Sequence, residues 1–374
     1  MQKKIIALAI AGLASTAAFA QSNVTIYGIA DVGYAHMRED GKKSMNNVDS
    51  GLLAGSRIGF KGVEDLGNGL KALFTLEYAL ALDANSGLGY ADTPWSSTTA
   101  RQQFAGLASN MGTLIAGRLQ TAGYDFACAY SPVAGGAFNT TDRIGAATVI
   151  SCGSGGRANN AVAYVSPSFG GVTVALNHAQ LTESKNAVGN TTGENTRADL
   201  VQVSYNNGPA SASVIYSKVN GGDSVNGING SATIVANDIR EYGVGASYDL
   251  KVVKLSALYQ NQKSHAASAL QGKNDSKWSV GAAVPVGSAG TVLASYAHSY
   301  INQTSAPDNV QAATLAYTHA LSKRTKLYAG YTFLKNDNAA TKSVYGSTAA
   351  GTGNFAPDAG GNGSIIGAGI NHAF

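Results

Sequence analysis

Apolar and polar residues alternate with a period of two along nearly the whole chain, and that alternation limits what it can fold into. The stretch "LKALFTLEYAL" puts Leu70, Ala72, Phe74, Leu76, Tyr78 and Leu80 on one face and Lys71, Thr75 and Glu77 on the other. "DLVQVSY" sets Val201, Val203 and Tyr205 against Gln202 and Ser204. "YGVGASYDL" sets Tyr242, Val244, Ala246 and Tyr248 against Gly243, Gly245 and Ser247. Successive side chains of a strand point to opposite faces, so period two means β-strands with one apolar face. Runs of Leu, Glu, Lys and Ala at helical spacing are scarce after residue 20, which argues against long helices.

The connections alternate too. Short turn signals fall at 65–69, 110–112, 168–171, 206–209, 249–251, 287–290 and 322–325. Longer polar stretches lie around 38–54, 84–99, 121–157, 183–197, 220–237, 265–276, 302–309 and 336–362. Short and long links in strict alternation imply about sixteen strands, each near the roughly 9–11 residues of a tilted membrane strand. A soluble sandwich would keep its loops short at both ends and bury the apolar faces against a second sheet. Here the face opposite the apolar one is small and polar. A sheet in hydrocarbon tolerates no free edge, so it must close. The expected fold is all-β: a transmembrane antiparallel β-barrel. Phe374, the last residue, is in phase with Ile366, Ala368, Ile370 and His372, so its ring is expected in the aromatic girdle of the closing strand.

The amino terminus, "MQKKIIALAIAGLASTAAFA", has Lys3 and Lys4, an apolar run and an Ala18-Phe19-Ala20 triplet. This reads as an export signal over 1–20, leaving 21–374 as the barrel. The apolar run is shorter than the roughly 20 residues of a spanning helix. Without the two signal lysines, 24 basic residues stand against 22 acidic ones, too weak a charge to suggest nucleic acid as a partner. There is no GxSxG elbow, HExxH, CxxC or P-loop, and His36, His178, His265, His298, His319 and His372 show no ligand spacing. No enzyme activity, cofactor or metal is expected.

The text "NVTIYGIADVGY", "SRIGFKGVEDLGNGLKALFTLE", "GRANNAVAYVSPSFGG", "VSYNNGPASASVIY", "LSKRTKLYAGYTF" and "INHAF" resembles the general porins of β-proteobacteria, the Gram-negative porin family of neisserial and Bordetella-type trimeric porins. The resemblance runs from about residue 22 to residue 374. It implies a homotrimer of sixteen-stranded barrels in the outer membrane, among lipid and lipopolysaccharide, passing small hydrophilic solutes and ions. It also implies that Phe374 belongs to the signal read by the barrel-assembly machinery. A surface barrel acting as adhesin or receptor through its long loops is the alternative.

A sixteen-stranded barrel is wide enough to leave an aqueous channel, so something must narrow it. In the resembled family the third loop, here 121–157, folds into the lumen. Strand parity places Arg57, Glu77, Arg101, Arg118 and Arg157 in the lumen, with Phe104 taken as a lipid-facing neighbour of Arg101. By resemblance Arg57, Arg101 and Arg157 form the basic wall of the constriction, faced by Glu77 and the loop acids Asp125 and Asp142. Ala100 and Gln102 flank Arg101 where the family often has a second arginine, which implies only a mild anion preference. Cys128 and Cys152, both in this loop, are either a disulfide or two unrelated small buried residues; periplasmic oxidation favours the pair.

Overall fold

The computed structural model describes residues 23–84, 100–145, 149–182, 196–220, 224–226, 233–235, 238–264, 274–302, 308–337, 340–344 and 357–374. The expected export signal at 1–20 lies outside them. The strands run as β1 Asn23–Glu39, β2 Met45–Ser50, β3 Arg57–Gly67, β4 Leu70–Ala79, β5 Ala100–Ser109, β6 Gly112–Gln120, β7 Arg157–Val165, β8 Val172–Thr182, β9 Thr196–Asn207 and β10 Ala210–Asn220. After a small hairpin (β11 Ser224–Asn226, β12 Thr233–Val235) come β13 Asp238–Asp249, β14 Lys254–Ser264, β15 Asn274–Val286, β16 Gly290–Ile301, β17 Asp308–Ala320, β18 Thr325–Asn336 and β19 Gly363–Ala373.

Apart from the small hairpin, each strand pairs antiparallel with its neighbours, and β1 closes the sheet on β19 from Ile29↔Ala373 to Glu39↔Gly363. The other edge of β1 carries β2 and β3 end to end, with Val32 opposite Ser50 and Ile29 opposite Arg57. These two therefore fill one strand position, and the barrel has sixteen. The polar stretch expected as a loop at 38–54 contains strand β2, because the upper half of β1 would otherwise present an unpaired edge.

Chain closure reaches the last residue. Gly28 and Phe374 exchange backbone bonds, N–H to O at 3.1 and 3.2 Å. The Phe374 ring lies over Gly28 on the outer face, where a Cβ on residue 28 would sit 2.4 Å from the ring edge.

Burial is inverted relative to a soluble protein. Val203, Val214, Tyr216, Tyr242, Val244, Leu315 and Ile366 are exposed on the outer face, while Gln202, Ser213, Ser217, Glu241 and Gln260 are buried inside. An apolar exterior around a polar interior is the arrangement a lipid-embedded barrel requires.

The polar interior is occupied by residues 121–145 and 149–156, which enter the lumen as helix α1 Ala122–Ala129, the short helix α2 Thr140–Arg143 and a 3-10 turn at Ser154–Gly156. Thr121 and Asn139 cap the two helices, their side-chain oxygens each accepting a backbone N–H at 3.2 Å. Wall side chains then satisfy the loop backbone. The Asn177 carbonyl accepts from Ala122 N, Glu241 accepts from Val149 N and Ile150 N, and Gln260 donates to Ile150 O. Lys277, Ser299 and Thr314 donate to the carbonyls of Thr141, Ile144 and Phe138. A buried loop is tolerable only with such partners, which is why the inner strand faces are small and hydrogen-bonding. Phe126 and Tyr130 seat their rings over Gly243 and Gly245; a Cβ on Gly245 would fall 2.3 Å from the Tyr130 ring.

Candidate functional site

Residues 51–56, the break between β2 and β3, turn into the lumen beneath the loop. Asp31 holds them: its carboxylate accepts from Leu53 N and Ala54 N at 3.3 Å, from the Tyr328 hydroxyl at 2.8 Å and from the Asn371 amide at 2.7 Å. Gly55 N donates to Gly135 O and Ala137 N to Leu52 O, so this break and the loop brace each other.

Beside this brace the basic residues converge. Arg57 opens β3, and Glu77 lies on β4 opposite Gly59, two residues along the same face. Arg101 donates from Nε to Glu77 Oε1 at 2.7 Å, the Tyr27 hydroxyl donates to Oε2 at 3.0 Å, and Arg57 stands 4.0 Å away. Glu77 is thus the counter-ion inside the basic wall. It does not face the wall from across the lumen, as the sequence led us to expect, because β4 lies between β3 and β5 and carries it there.

Arg157 closes the group from β7. Its guanidinium lies over the Tyr124 ring at 4.6 Å and donates to Gly153 O at 3.4 Å, while Nε has no hydrogen-bond partner. Tyr124, in the first turn of α1, also engages Arg101. Tyr124 was not singled out in the sequence, where nothing distinguishes it from the other loop aromatics. Lys61 was missed as well, although it shares the parity of Arg57; its ammonium lies 5.2 Å from the Tyr27 ring centre.

Two parity assignments fail, one at a bulge and one on the choice of face. The register slips between Glu77 and Tyr78, so that Ala100 opposes Tyr78 and Gln102 opposes Glu77. Arg101 is the extra residue, and the bulge turns it inward. Phe104 opposes Thr75 on the Glu77 face and packs with the buried Leu119 cluster, so it faces the lumen and not lipid. On β6 the alternation is unbroken but its faces are the reverse of those expected. Thr113 and Leu119 are buried inside and Leu114 is exposed outside, so Arg118, in phase with Leu114, points outward. The slip between Gly117 and Leu119 puts its extra residue on β7, at 159–160. Arg118 instead bonds the carbonyl of Ala100 and the exposed side chain of Asn159, both at 2.5 Å. It is not part of the lumen group.

The loop acids do not face the arginines as charged partners. Asp142 is spent within the loop, accepting from the Asn139 amide at 2.8 Å, from Cys152 N at 3.2 Å and from the Ser151 hydroxyl at 3.4 Å. Burial holds its carboxyl above the ordinary aspartate range despite these donors and nearby Lys277 and Arg143. Asp125 forms no ion pair among the described residues, and burial pushes its pKa up to about 7. Cys128 at the end of α1 and Cys152 are joined as a disulfide, with Cα atoms 4.9 Å apart.

The geometry is that of a polar opening narrowed by an internal loop, with arginines from three strands beside it. The chain matches the Gram-negative porin profile over residues 7–339. It belongs to the Gram-negative porin family. The porin is 34% identical to outer membrane porin protein 32 of Delftia acidovorans, with each chain covered in full. A porin protein of Bordetella pertussis is 29% identical over 90% of this chain and 95% of its own. Among solved structures, the anion-selective porin from Comamonas acidovorans superposes with a TM-score of 0.76 at 31% identity, covering 95% of this chain and 100% of that one. The trimer form of an outer membrane protein from Vibrio cholerae shares the fold at 17% identity, with a TM-score of 0.66 over 94% of this chain and 99% of its own. The protein is an outer-membrane diffusion porin, and its family and fold are those of a channel, not of an enzyme.

Proposed function

We propose that this porin passes small hydrophilic solutes with a mild preference for anions, through a constriction between the Arg57, Arg101 and Arg157 wall and the 121–156 loop. The observation that carries this reading is the grouping of three arginines with a single lumenal carboxylate: Arg101 and Arg57 share Glu77 while Arg157 lies beside them over Tyr124, which leaves the wall net positive. The preference is mild because the guanidiniums are largely packed and present little area to the water column: the side chains of Arg57 and Arg101 are 15% and 13% exposed. Restricted water at a constriction makes even these charges felt by a passing ion.

The assembly is a homotrimer, a reading supported by the family's solved relatives and by the shared barrel. Phe374, bonded to Gly28 at the closing seam, is the residue through which the barrel-assembly machinery recognises the last strand. Planar bilayers holding the purified porin under a salt gradient test the permeation reading. Stepwise current with a reversal potential of anion-selective sign is expected; a cation-selective sign refutes the role of the arginine wall, and absence of current favours an adhesin or receptor. A mass in mild detergent equal to one chain refutes the trimer.

A further inference from the structure

The outer faces of β9, β10, β13 and β14 end in a basic row beside the long loops, the end that in such barrels faces outside the cell. Lys218 stands directly opposite Arg240, and Arg240 directly opposite Lys263. All three share the outward parity of exposed Tyr216 and Tyr242, while their strand neighbours Ser217, Glu241 and Gln262 are buried inside. Arg197 stands on the same outward face, one rung further out across from Asn220.

Like charges directly opposite each other in a sheet are destabilising, so three in one row call for a counter-charge. The protein supplies little. Lys218 reaches Asp238 only at 3.9 Å, and Asp199, its neighbour across the ladder, is bonded to His178 at 2.7 Å. Arg240 and Lys263 have no ion-pair partner among the described residues. One outward rung below, about 7 Å nearer the barrel middle, Tyr216 opposes Tyr242, and the Tyr242 and Tyr259 rings are 6.3 Å apart. Below these come Val214 and Val244, opposite each other and exposed. The vertical order, aliphatic then aromatic then basic, is that of hydrocarbon, interface and headgroup. On the neighbouring β15–β17 sector the outermost rung is uncharged, with Ser276 opposite Tyr300 and Tyr300 opposite Asn309.

We propose that Lys218, Arg240 and Lys263 form a docking surface for the phosphate groups of outer-leaflet lipopolysaccharide, whose acyl chains lie along the valine rows beneath. The inference rests on the outer-membrane location and not on the permeation reading. Guanidinium and ammonium groups bind phosphate through charge-assisted bonds, and each basic residue near an anionic lipid surface contributes about five-fold in affinity, so about a hundred-fold for the three.

The test titrates purified porin in non-ionic detergent and EDTA with diphosphoryl lipid A and counts bound lipid by native mass spectrometry. Retained lipid on the wild type is expected, with about a hundred-fold weaker binding to Lys218→Gln/Arg240→Gln/Lys263→Gln, whose conductance stays at the wild-type value. Dephosphorylated lipid A should bind the wild type as weakly, a comparison that stands even if the triple variant fails to fold. Equal binding by the variant, or equal binding of the dephosphorylated lipid, overturns the proposal. So does loss of wild-type binding in EDTA, which would assign the lipid to a divalent ion at Asp199 and Asp238. Displacement by equimolar inorganic phosphate would make the row a free-anion site and overturn the lipid assignment.

Discussion

Replacing Arg101 by glutamate should convert the channel's mild anion preference into a cation preference, and the size of the change follows from the geometry. Arg101 donates to Glu77 at 2.7 Å, so removing its positive charge also uncovers the carboxylate it neutralises. A unit charge about 5 Å from a passing ion contributes about 0.8 kcal/mol in water, and screening at physiological salt, with a Debye length of about 8 Å, cuts this to about 0.4. Arg101→Gln removes one unit, penalising anions and favouring cations by that amount, so the anion-to-cation permeability ratio falls about four-fold. Arg101→Glu removes two units, and the ratio falls about fifteen-fold. In 1 M salt the Debye length is about 3 Å and the effect of Arg101→Glu shrinks to about three-fold. Reversal potentials across a salt gradient, measured at both ionic strengths, read these ratios directly. The charge swap Arg101→Glu/Glu77→Arg restores the net charge and should return the ratio close to its starting value. An unchanged reversal potential in dilute salt for both single substitutions would refute the placement of Arg101 at the constriction.

Reducing the Cys128–Cys152 bridge should leave trimer melting nearly intact while raising open-channel current noise. Closing a loop of about 25 residues restricts the unbridged ensemble by roughly 3.5 kcal/mol, but that restriction acts on the lumenal loop while the closed strand ladder holds the barrel; quiet current after reduction would count against it. Deleting Phe374 should lower outer-membrane yield, and Gly28→Val should do so in part, because its side chain would occupy the space of the Phe374 ring; full yield in both strains, measured on isolated membranes, would remove Phe374 from assembly. Asp125 should make selectivity depend on pH. Its folded-state pKa, about 7, lies above the ordinary aspartate value, so its stabilising neutral form is intact at low pH and lost as pH rises through 7. Raising pH from 5.5 to 8.5 should therefore weaken the anion preference and loosen the loop, and Asp125→Asn should abolish the dependence; a pH-independent reversal potential in the parent porin would refute it.

The alternation of apolar and small polar residues by itself determined the strands, their number and their closure, because each strand's side-chain period is local and lipid punishes any open edge. Loop and turn lengths likewise set the end of the barrel at which the long segments gather. Arg57, Glu77 and Arg157 could be placed in the lumen from that period. Only the tertiary structure decided the rest of the constriction. One extra residue in a ladder inverts every parity beyond it, so the bulge at Arg101 let both Arg101 and Phe104 face inward. On β6 apolar residues stand on both faces, and only the packing of Leu119 inside and Leu114 outside decided that Arg118 points outward. Which carboxylate answers which arginine depended on strand order, which put Glu77 between Arg57 and Arg101, and on the internal needs of the loop, which took Asp142 for its own backbone. Tyr124 entered the group because a helix 33 residues before Arg157 folds back beneath its guanidinium, a long-range contact that no local period encodes.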